Sequence, residues 1–313
     1  MRGSATAGQN VSAQLRPGER GGRDHGEPRV TDASRRSIAQ ILGAFEETIQ
    51  SLDTVLADLG PDDWHRPTGC PGWDVQDVVS HLVGVENQLA GLPDPEHELP
   101  EGLAHVRHDD GRGLEIAVDF RRGLAPAEIL SQFRESTERG LALRRSRPRG
   151  ADEITEGPFG WKMPYWQLLS IRTFDCFAHE QDVRRAVEQP GNLDGEAAGV
   201  TRDLIASFLP GVLASRVEGL ADREVVINVG GSPSGHAHGG ADRLTIAAGT
   251  PASATPASAT PASRAPLATT LTMPFSELVA LVCGRADVDH TRIAVSGDAE
   301  LGAQVTRAMA FTP

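Results

Sequence analysis

Four long segments in the first 190 residues repeat their apolar side chains every three or four positions. They cover residues 34–59, 74–91, 126–147 and 166–187. This spacing places the apolar side chains of each segment on one face of an α-helix. Each apolar face must be buried against another element, so the four helices predict an antiparallel four-helix bundle with substantial connections.

Local signals mark where these helices begin and end. Gly60-Pro61 ends the first helix, because proline cannot continue it. Asp74 has the character of an N-cap for the second helix, and Asp77 stands three residues later at the capping-box position. The segment 92–113 is rich in proline, glycine, histidine and acidic residues, which predicts a long loop.

The pattern changes after Pro190, where short strands and helices replace the long helices. We expect strands at 225–229, 244–246, 269–273 and 293–295, and helices at 194–216, 275–283 and 300–309. The sequence therefore predicts an α+β multidomain chain, in which a bundle at 34–190 is followed by a small mixed α+β domain at 191–313.

Two segments have no apolar face. Residues 1–33 contain scattered arginine, glycine, proline and serine, which predicts a disordered N-terminal extension. A nucleic-acid-binding tail is the less favoured interpretation of its arginines. Residues 250–264 repeat Thr-Pro-Ala-Ser-Ala and predict a mobile low-complexity loop.

Charge and cysteine content restrict the function. The chain has 30 basic and 43 acidic residues, a net charge of −13. Binding to nucleic acid needs a basic face, so we expect no such partner. No stretch approaches the roughly 18 apolar residues of a membrane span. The three dispersed cysteines are typical of a reducing cytoplasm rather than a disulfide scaffold.

The residues that could carry chemistry are concentrated on two predicted helices. Asp175 and His179 lie four residues apart on one face of the fourth helix, and Asp182 follows on the same side. His81 lies within an apolar run of the second helix. Two imidazoles and one carboxylate can form an open divalent-metal site that leaves positions for water or substrate. On spacing alone, an ordinary Asp175–His179 pair and a hydrogen-bonded core histidine remain the alternative.

Residues near these candidate ligands can also be interpreted in more than one way. Asp182 could instead form a surface ion pair with Arg184 or Arg185. Cys70 lies just before the second helix, and a small buried loop residue is the favoured interpretation, with proximity to the site as the other. Glu86 is about 140° around the helix from the histidine five residues before it, so we do not expect it to be a ligand.

The loops at 92–125 and 148–165 are expected to line a pocket. Three aromatic residues could belong either to its wall or to the core: Trp161, Tyr165 and Trp166. Three histidines of the first loop are expected to be solvated: His97, His105 and His108.

Three motifs, in the right order, resemble those of the mycothiol-dependent maleylpyruvate isomerase family. The first is Thr68-Gly-Cys70-Pro71-Gly72-Trp73-Asp74, continued by Asp77, His81, Gly84 and Glu86. The second is Arg172-x-Phe-Asp175-x-x-x-His179-x-x-Asp182-x-Arg184. The third lies in the C-terminal part and comprises Phe275, Leu278, Gly284-Arg285, Gly297-Asp298, Leu301 and Thr312-Pro313.

The resemblance covers about residues 35–313 and implies a DinB-like bundle followed by a sterol-carrier-protein-like domain. It implies a divalent metal, with zinc as the expected ion, held by His81, Asp175 and His179. The founding isomerase has a glutamate where this chain has Asp175. The resemblance also implies that Arg285 contacts substrate, and a structural arginine at the domain junction is the alternative.

The resemblance further implies mycothiol as cosubstrate in a cytoplasmic actinobacterial protein. The arginine-rich composition, in which Lys162 is the only lysine, agrees with a high-GC genome. A metal-held thiolate beside a small electrophile would support an S-transferase or a cis–trans isomerase. Two alternatives stay open: a non-catalytic metal- or ligand-binding protein of this fold, and a metal-dependent hydrolase that acts through bound water. Monomer and homodimer are both compatible with the sequence.

Overall fold

The computed structural model describes most of the chain between residues 35 and 312. The predicted extension at 1–33 and the predicted loop at 250–264 lie outside the described residues, as does His108. The described ranges are 35–107, 109–157, 160–230, 244–248 and 268–312, with only the backbone described for 244–248.

The first half of the protein is built from helices. α1 packs along α5, α2 packs along α4, and α2 also contacts α5, so the predicted four-helix bundle is confirmed. The helices are α1 (Ile38–Ala57), α2 (Val75–Leu89), the short α3 (Asp109–Asp119), α4 (Pro126–Ser146) and α5 (Tyr165–Ala186).

The start of α2 lies where the sequence predicts it. The Asp77 backbone N–H donates to the Asp74 side chain at 2.9 Å, and the Asp74 backbone N–H donates to Asp77 Oδ2 at 3.4 Å. This reciprocal pair is a capping box. A capped start fixes where α2 begins, and with it the direction in which His81 leaves the helix.

Two segments predicted as loops contain regular structure. The prediction of a loop over 92–113 is wrong at its end, because α3 begins at Asp109 and packs on α2. Two glycines and a low apolar content hide the helical pattern there. The connection before α5 holds a hairpin of β1 (Ile154–Glu156) and β2 (Lys162–Pro164). Strands of three residues are too short for alternation to be recognised.

The second half combines helices with a four-stranded sheet, which confirms the predicted α+β class. The strand order is β4-β3-β5-β6, with β3 parallel to β5 and the other pairs antiparallel. The elements are α6 (Glu196–Arg216), β3 (Val225–Gly230), β4 (Leu244–Ala248), β5 (Thr269–Pro274), α7 (Phe275–Val282), β6 (Ala294–Ser296) and α8 (Ala299–Ala308).

An apolar core runs from the bundle into the second half. α6 packs on both α1 and α5, and Phe177 of α5 stacks on Phe275 of α7 with ring centroids 5.9 Å apart. Among the described helices, α6 is the one long and apolar enough to cross a membrane. Half of its most apolar 18-residue stretch is buried inside the protein, as in a core helix. The domain boundary expected near residue 190 stays a prediction.

Candidate metal centre

The structure brings together the three predicted metal ligands. His81 comes from α2, and Asp175 and His179 come from α5. Asp175 Oδ1 lies 3.4 Å from His81 Nε2 and 3.4 Å from His179 Nε2. The three side chains can therefore direct one ligand atom each at a common point.

The spacing and burial of this cluster fit a divalent ion. In a tetrahedral site with bonds of 2.0–2.1 Å, ligand atoms lie about 3.3 Å apart, which matches both separations. The side chains of His81 and His179 are 6% and 7% exposed, whereas that of Asp175 is 28% exposed. The cluster is thus enclosed at the histidines and open beside Asp175.

His179 is held by a second carboxylate. Its Nδ1 lies 3.0 Å from Asp182 Oδ2, an arrangement that fixes the ring and turns Nε2 toward the cluster. Asp182 in turn accepts hydrogen bonds from Arg285 Nε at 2.9 Å and Nη2 at 2.8 Å, and from Cys70 Sγ at 3.2 Å. Arg285 thus connects the second half of the chain to a predicted metal ligand.

The surface pairing considered for Asp182 is wrong, because Asp182 is buried. The two arginines that follow it have other partners. Arg184 donates to Glu180 at 2.7 Å, and Arg185 donates to Glu277 at 3.2 Å.

Cys70, His179 and Asp182 form a second, overlapping group of potential ligands. The guanidinium of Arg285 already binds this carboxylate through two nitrogens. A cation placed there would be repelled by Arg285. We therefore interpret this group as support for the first cluster rather than as a second metal site.

Asp175 is oriented by a buried arginine. Arg172 donates to Asp175, to Glu86 Oε1 at 2.7 Å and to the carbonyl of Leu82 at 3.2 Å. Glu86 also accepts from Arg144 at 2.8 Å, so its carboxylate is fully used in ion pairs. This agrees with the expectation that Glu86 is not a ligand.

The surroundings shift the pKa values of the two histidines in opposite directions. Burial lowers the pKa of His81. Burial acts the same way on His179, but its hydrogen bonds to Asp175 and Asp182 outweigh that effect and raise its pKa well above the ordinary value. Burial also opposes the charge of Asp175, yet the positive charge of Arg172 and the hydrogen bonds to His179 and His81 hold the pKa of that carboxyl well below its usual range.

Burial keeps all three cysteine thiols protonated at neutral pH. It raises the pKa of Cys283 to about 12 and also raises that of Cys176. Burial, with the negative charge of Asp182, raises the pKa of Cys70, whose Sγ lies 4.0 Å from His179 Nδ1. Cys70 is therefore both buried and next to the cluster, and no cysteine of the chain is poised as a thiolate nucleophile.

Trp73 and Arg172 support the site, although the sequence alone predicted no role for either residue. The Trp73 ring centroid lies 5.2 Å from that of His81, whose buried Nδ1 has no hydrogen-bond partner among the described residues. Trp73 comes from the turn at Gly72, where φ is 82° and a Cβ would lie 2.5 Å from His105 Nδ1. Arg172 stands three residues before Asp175 on the same helix, and this spacing could have predicted their ion pair.

The cluster opens into a cavity of about 810 Å³, which we call the polar cavity. Residues of the 92–125 segment line it, as predicted. His105, expected to be solvated, lines this cavity and lies 3.0 Å from Glu115 Oε2. The acidic and basic side chains around the polar cavity, apart from the cluster itself, are His105, Arg107, Glu115, Arg216, Arg285 and Arg307.

A second cavity of about 140 Å³ adjoins the same cluster, and we call it the apolar lobe. It shares His81 and Asp175 with the polar cavity. Trp161 lines the lobe, whereas Tyr165 and Trp166 belong to the core. Its apolar wall includes Val85, Leu89, Met163, Leu168, Ile171 and Phe208.

Comparison with known sequences assigns the family. The family model of the mycothiol maleylpyruvate isomerase N-terminal domain matches residues 45–184, and that of the family's C-terminal domain matches residues 200–304. The chain belongs to the mycothiol maleylpyruvate isomerase family. Its cluster lies in the part that matches the N-terminal domain, and Arg285 lies in the part that matches the C-terminal domain.

Solved structures of this family share the fold. The crystal structure of mycothiol-dependent maleylpyruvate isomerase superposes with a TM-score of 0.51 at 14% identity, covering 84% of this chain and 95% of that chain. A variant of the enzyme gives a TM-score of 0.50 at 13% identity, with the same coverage. Identity this low shows a common fold and no more.

Two uncharacterized proteins of Mycobacterium tuberculosis are similar in sequence. Rv0036c is 23% identical over 143 residues, which are 44% of this chain and 52% of that protein. Rv0738 is 24% identical over 160 residues, which are 50% of this chain and 72% of that protein. The chain therefore spans about half the length of Rv0036c.

Proposed function

We propose that the chain is a cytoplasmic, divalent-metal-dependent enzyme that uses mycothiol as cosubstrate, with zinc as the expected ion. It would act as an S-transferase or a cis–trans isomerase on a small electrophilic metabolite. The observation that carries this proposal is the enclosed His81–Asp175–His179 cluster opening into the polar cavity. Family membership supports the choice of thiol.

Three protein ligands would leave a position open for an incoming group. When bound, the ion would lower the pKa of the mycothiol thiol and stabilise the thiolate at neutral pH. The chain's own residues hold the arrangement: Asp182 orients His179, and Arg172 orients Asp175. The chain's own thiols stay protonated, so the cosubstrate supplies the nucleophile.

The polar cavity suits a polar cosubstrate. Its volume of about 810 Å³ lies within the range of ligand sites, about 300–1,000 Å³. Side chains such as His105 and Arg107 can form hydrogen bonds to a polyhydroxylated sugar conjugate, which is what carries the mycothiol thiol.

Arg285 was expected to contact substrate, and it does line the polar cavity. Its Nε and Nη2 are bound to Asp182, and its Nη1 donates to the Cys283 carbonyl at 2.8 Å. We therefore propose that Arg285 is a positioning residue that acts through Asp182 and His179.

One nucleophile would serve both reactions. If the thiolate adds to a conjugated double bond, the adduct rotates, and the same carbon–sulfur bond breaks, the net result is isomerisation. If the bond stays and the thiol proton is transferred to carbon, the net result is S-transfer. The ligand set is the same in both cases.

Metal analysis of the purified full chain tests the site. We expect about one divalent ion per chain, lost in His179→Ala and retained in His290→Ala, which removes an exposed histidine away from the cluster. Full retention by His179→Ala would contradict the proposed ligands.

Incubation with mycothiol and candidate electrophiles, followed by mass spectrometry, tests the reaction. We expect a thioether adduct or an isomerised product. Turnover without any thiol would instead indicate a hydrolase, and binding without turnover would indicate a non-catalytic protein of the same fold.

A further inference from the structure

The apolar lobe is built from several elements that meet beside the cluster. Leu89 comes from α2, Ile171 from α5 and Phe208 from α6, and the β1–β2 hairpin contributes Met163. The lobe therefore spans both halves of the chain. It reaches the cluster at His81 and Asp175, which also line the polar cavity.

The lobe offers no available cation that would pair with a carboxylate. Of its described lining residues, only His81, Arg172 and Asp175 carry ionisable groups. The Arg172 nitrogens already donate to Asp175, Glu86 and the Leu82 carbonyl. His81 Nε2 already faces Asp175 Oδ1 at 3.4 Å, and the Asp175 carboxylate would repel a second anion. An anionic group placed here would lose its hydration without gaining a cation as a partner.

The size of the lobe selects among uncharged groups. A protein cavity of about 150 Å³ lined by leucine, isoleucine and phenylalanine stays dry and binds benzene. The apolar lobe has about 140 Å³ and a wall of the same kind. It fits one phenyl ring or a branched alkyl group of about six carbons.

We propose that the apolar lobe binds the uncharged phenyl or alkyl substituent of the electrophilic substrate. This inference rests on the proposed function and names the substrate class of the same site. The thiol cosubstrate occupies the polar cavity, the apolar substituent occupies the lobe, and the electrophilic carbon lies between them beside Asp175. Substrates are therefore apolar electrophiles rather than small dicarboxylates.

For an enone substrate the reaction balances without a further reagent. The sulfur of the thiol bonds to the β-carbon, the π electrons move toward the carbonyl, and the thiol proton is transferred to the α-carbon. Benzylideneacetone carries a phenyl group on the β-carbon, whereas 4-oxo-2-pentenoate carries a carboxylate. Relative to their uncatalysed rates with the thiol, we expect the phenyl substrate to be favoured at least about tenfold, as for the burial of one aromatic ring.

Binding of product analogues tests the lobe without turnover. The zinc-treated full chain is titrated calorimetrically with S-benzyl-N-acetylcysteine and with S-carboxymethyl-N-acetylcysteine. We expect the benzyl compound to bind at least about tenfold more tightly. Ile171→Trp, which fills the lobe, should remove this preference and leave binding of the carboxymethyl compound unchanged.

Two further variants control for damage to the fold. Ile116→Trp makes the same change at a half-buried isoleucine of α3 that lines neither cavity, and should keep the preference. Leu89→Asp introduces a charge into the lobe from another helix and should remove the preference even if Ile171→Trp fails to fold. Circular dichroism and thermal melting confirm the folded state.

Equal affinity of the wild-type chain for the two compounds, or retention of the preference in Leu89→Asp, would overturn this assignment. Either result would leave the proposed function intact, because metal content and thioether formation are measured separately. Absence of turnover with every thiol would instead contradict the proposed function while leaving the binding preference standing.

Discussion

At the scale of single residues, the two histidines of the cluster are supported differently. His179 is oriented by the carboxylate of Asp182, whereas packing against Trp73 holds His81. The clustering of the three candidate ligands could be predicted because helical spacing and the family motifs are local in sequence. The pairing of Asp182 with Arg285 could not, because those residues are 103 positions apart and meet only in the folded chain.

The raised pKa of His179 predicts that metal binding releases protons. Without metal, His179 carries a proton between Asp175 and Asp182, and a bound ion must displace it. Metal affinity should therefore rise with pH until the pH exceeds the raised pKa of His179, and then become constant. Zinc titrations by calorimetry in two buffers with different ionisation enthalpies should show release of about one proton near pH 7. Equal heats in both buffers and a flat pH profile would contradict the prediction.

At the scale of elements, capping residues make the start of α2 predictable from sequence. The helix α3 is not predictable in this way, because it depends on close tertiary packing. Asp74 and Asp77 cap α2 as the sequence indicates. α3 could not be recognised, because its contact with α2 depends on a tertiary approach at Gly84. A Cβ at Gly84 would lie 2.5 Å from the Cβ of Ala117 on α3. This glycine therefore permits α3 to pack closely on the helix that carries His81.

Two glycine substitutions test this close approach. Gly84→Ala should lower the free energy of unfolding by about 1–3 kcal/mol, because the new methyl group overpacks the α2–α3 contact. Gly43→Ala is the matched control in the middle of α1, where a Cβ meets nothing within 4 Å. It should raise the free energy of unfolding by about 0.5–1 kcal/mol through helix propensity alone. Urea denaturation measures both, and stabilisation by Gly84→Ala would contradict the close contact.

At the scale of the whole molecule, the second half of the chain completes the site formed by the first. Arg285 follows α7 and reaches Asp182 on α5, and the side chains of the two residues are 9% and 5% exposed. The sequence predicted two differently built halves. It could not show that the two halves share a core, because the contacts of α6 with α1 and α5 of the bundle and with β4 of the sheet form only in the folded chain.

A double-mutant cycle tests the contact between the two halves. Arg285→Met leaves Asp182 buried without its cation and should lower the free energy of unfolding by about 3–5 kcal/mol. Asp182→Asn combined with Arg285→Met should cost clearly less than the sum of the single changes, because the pair is removed together. Strict additivity in chemical denaturation would show that the two side chains are not coupled.

X-ray absorption at the zinc edge shows whether His81, Asp175 and His179 hold the ion, as we propose. The overlapping group of Cys70, His179 and Asp182 would give a zinc–sulfur distance of about 2.3 Å, whereas nitrogen and oxygen ligands lie at about 2.0–2.1 Å. The zinc-loaded full chain, measured without mycothiol, is expected to show only the nitrogen and oxygen shell. A sulfur contribution that persists in Cys176→Ser and disappears in Cys70→Ser would contradict this assignment.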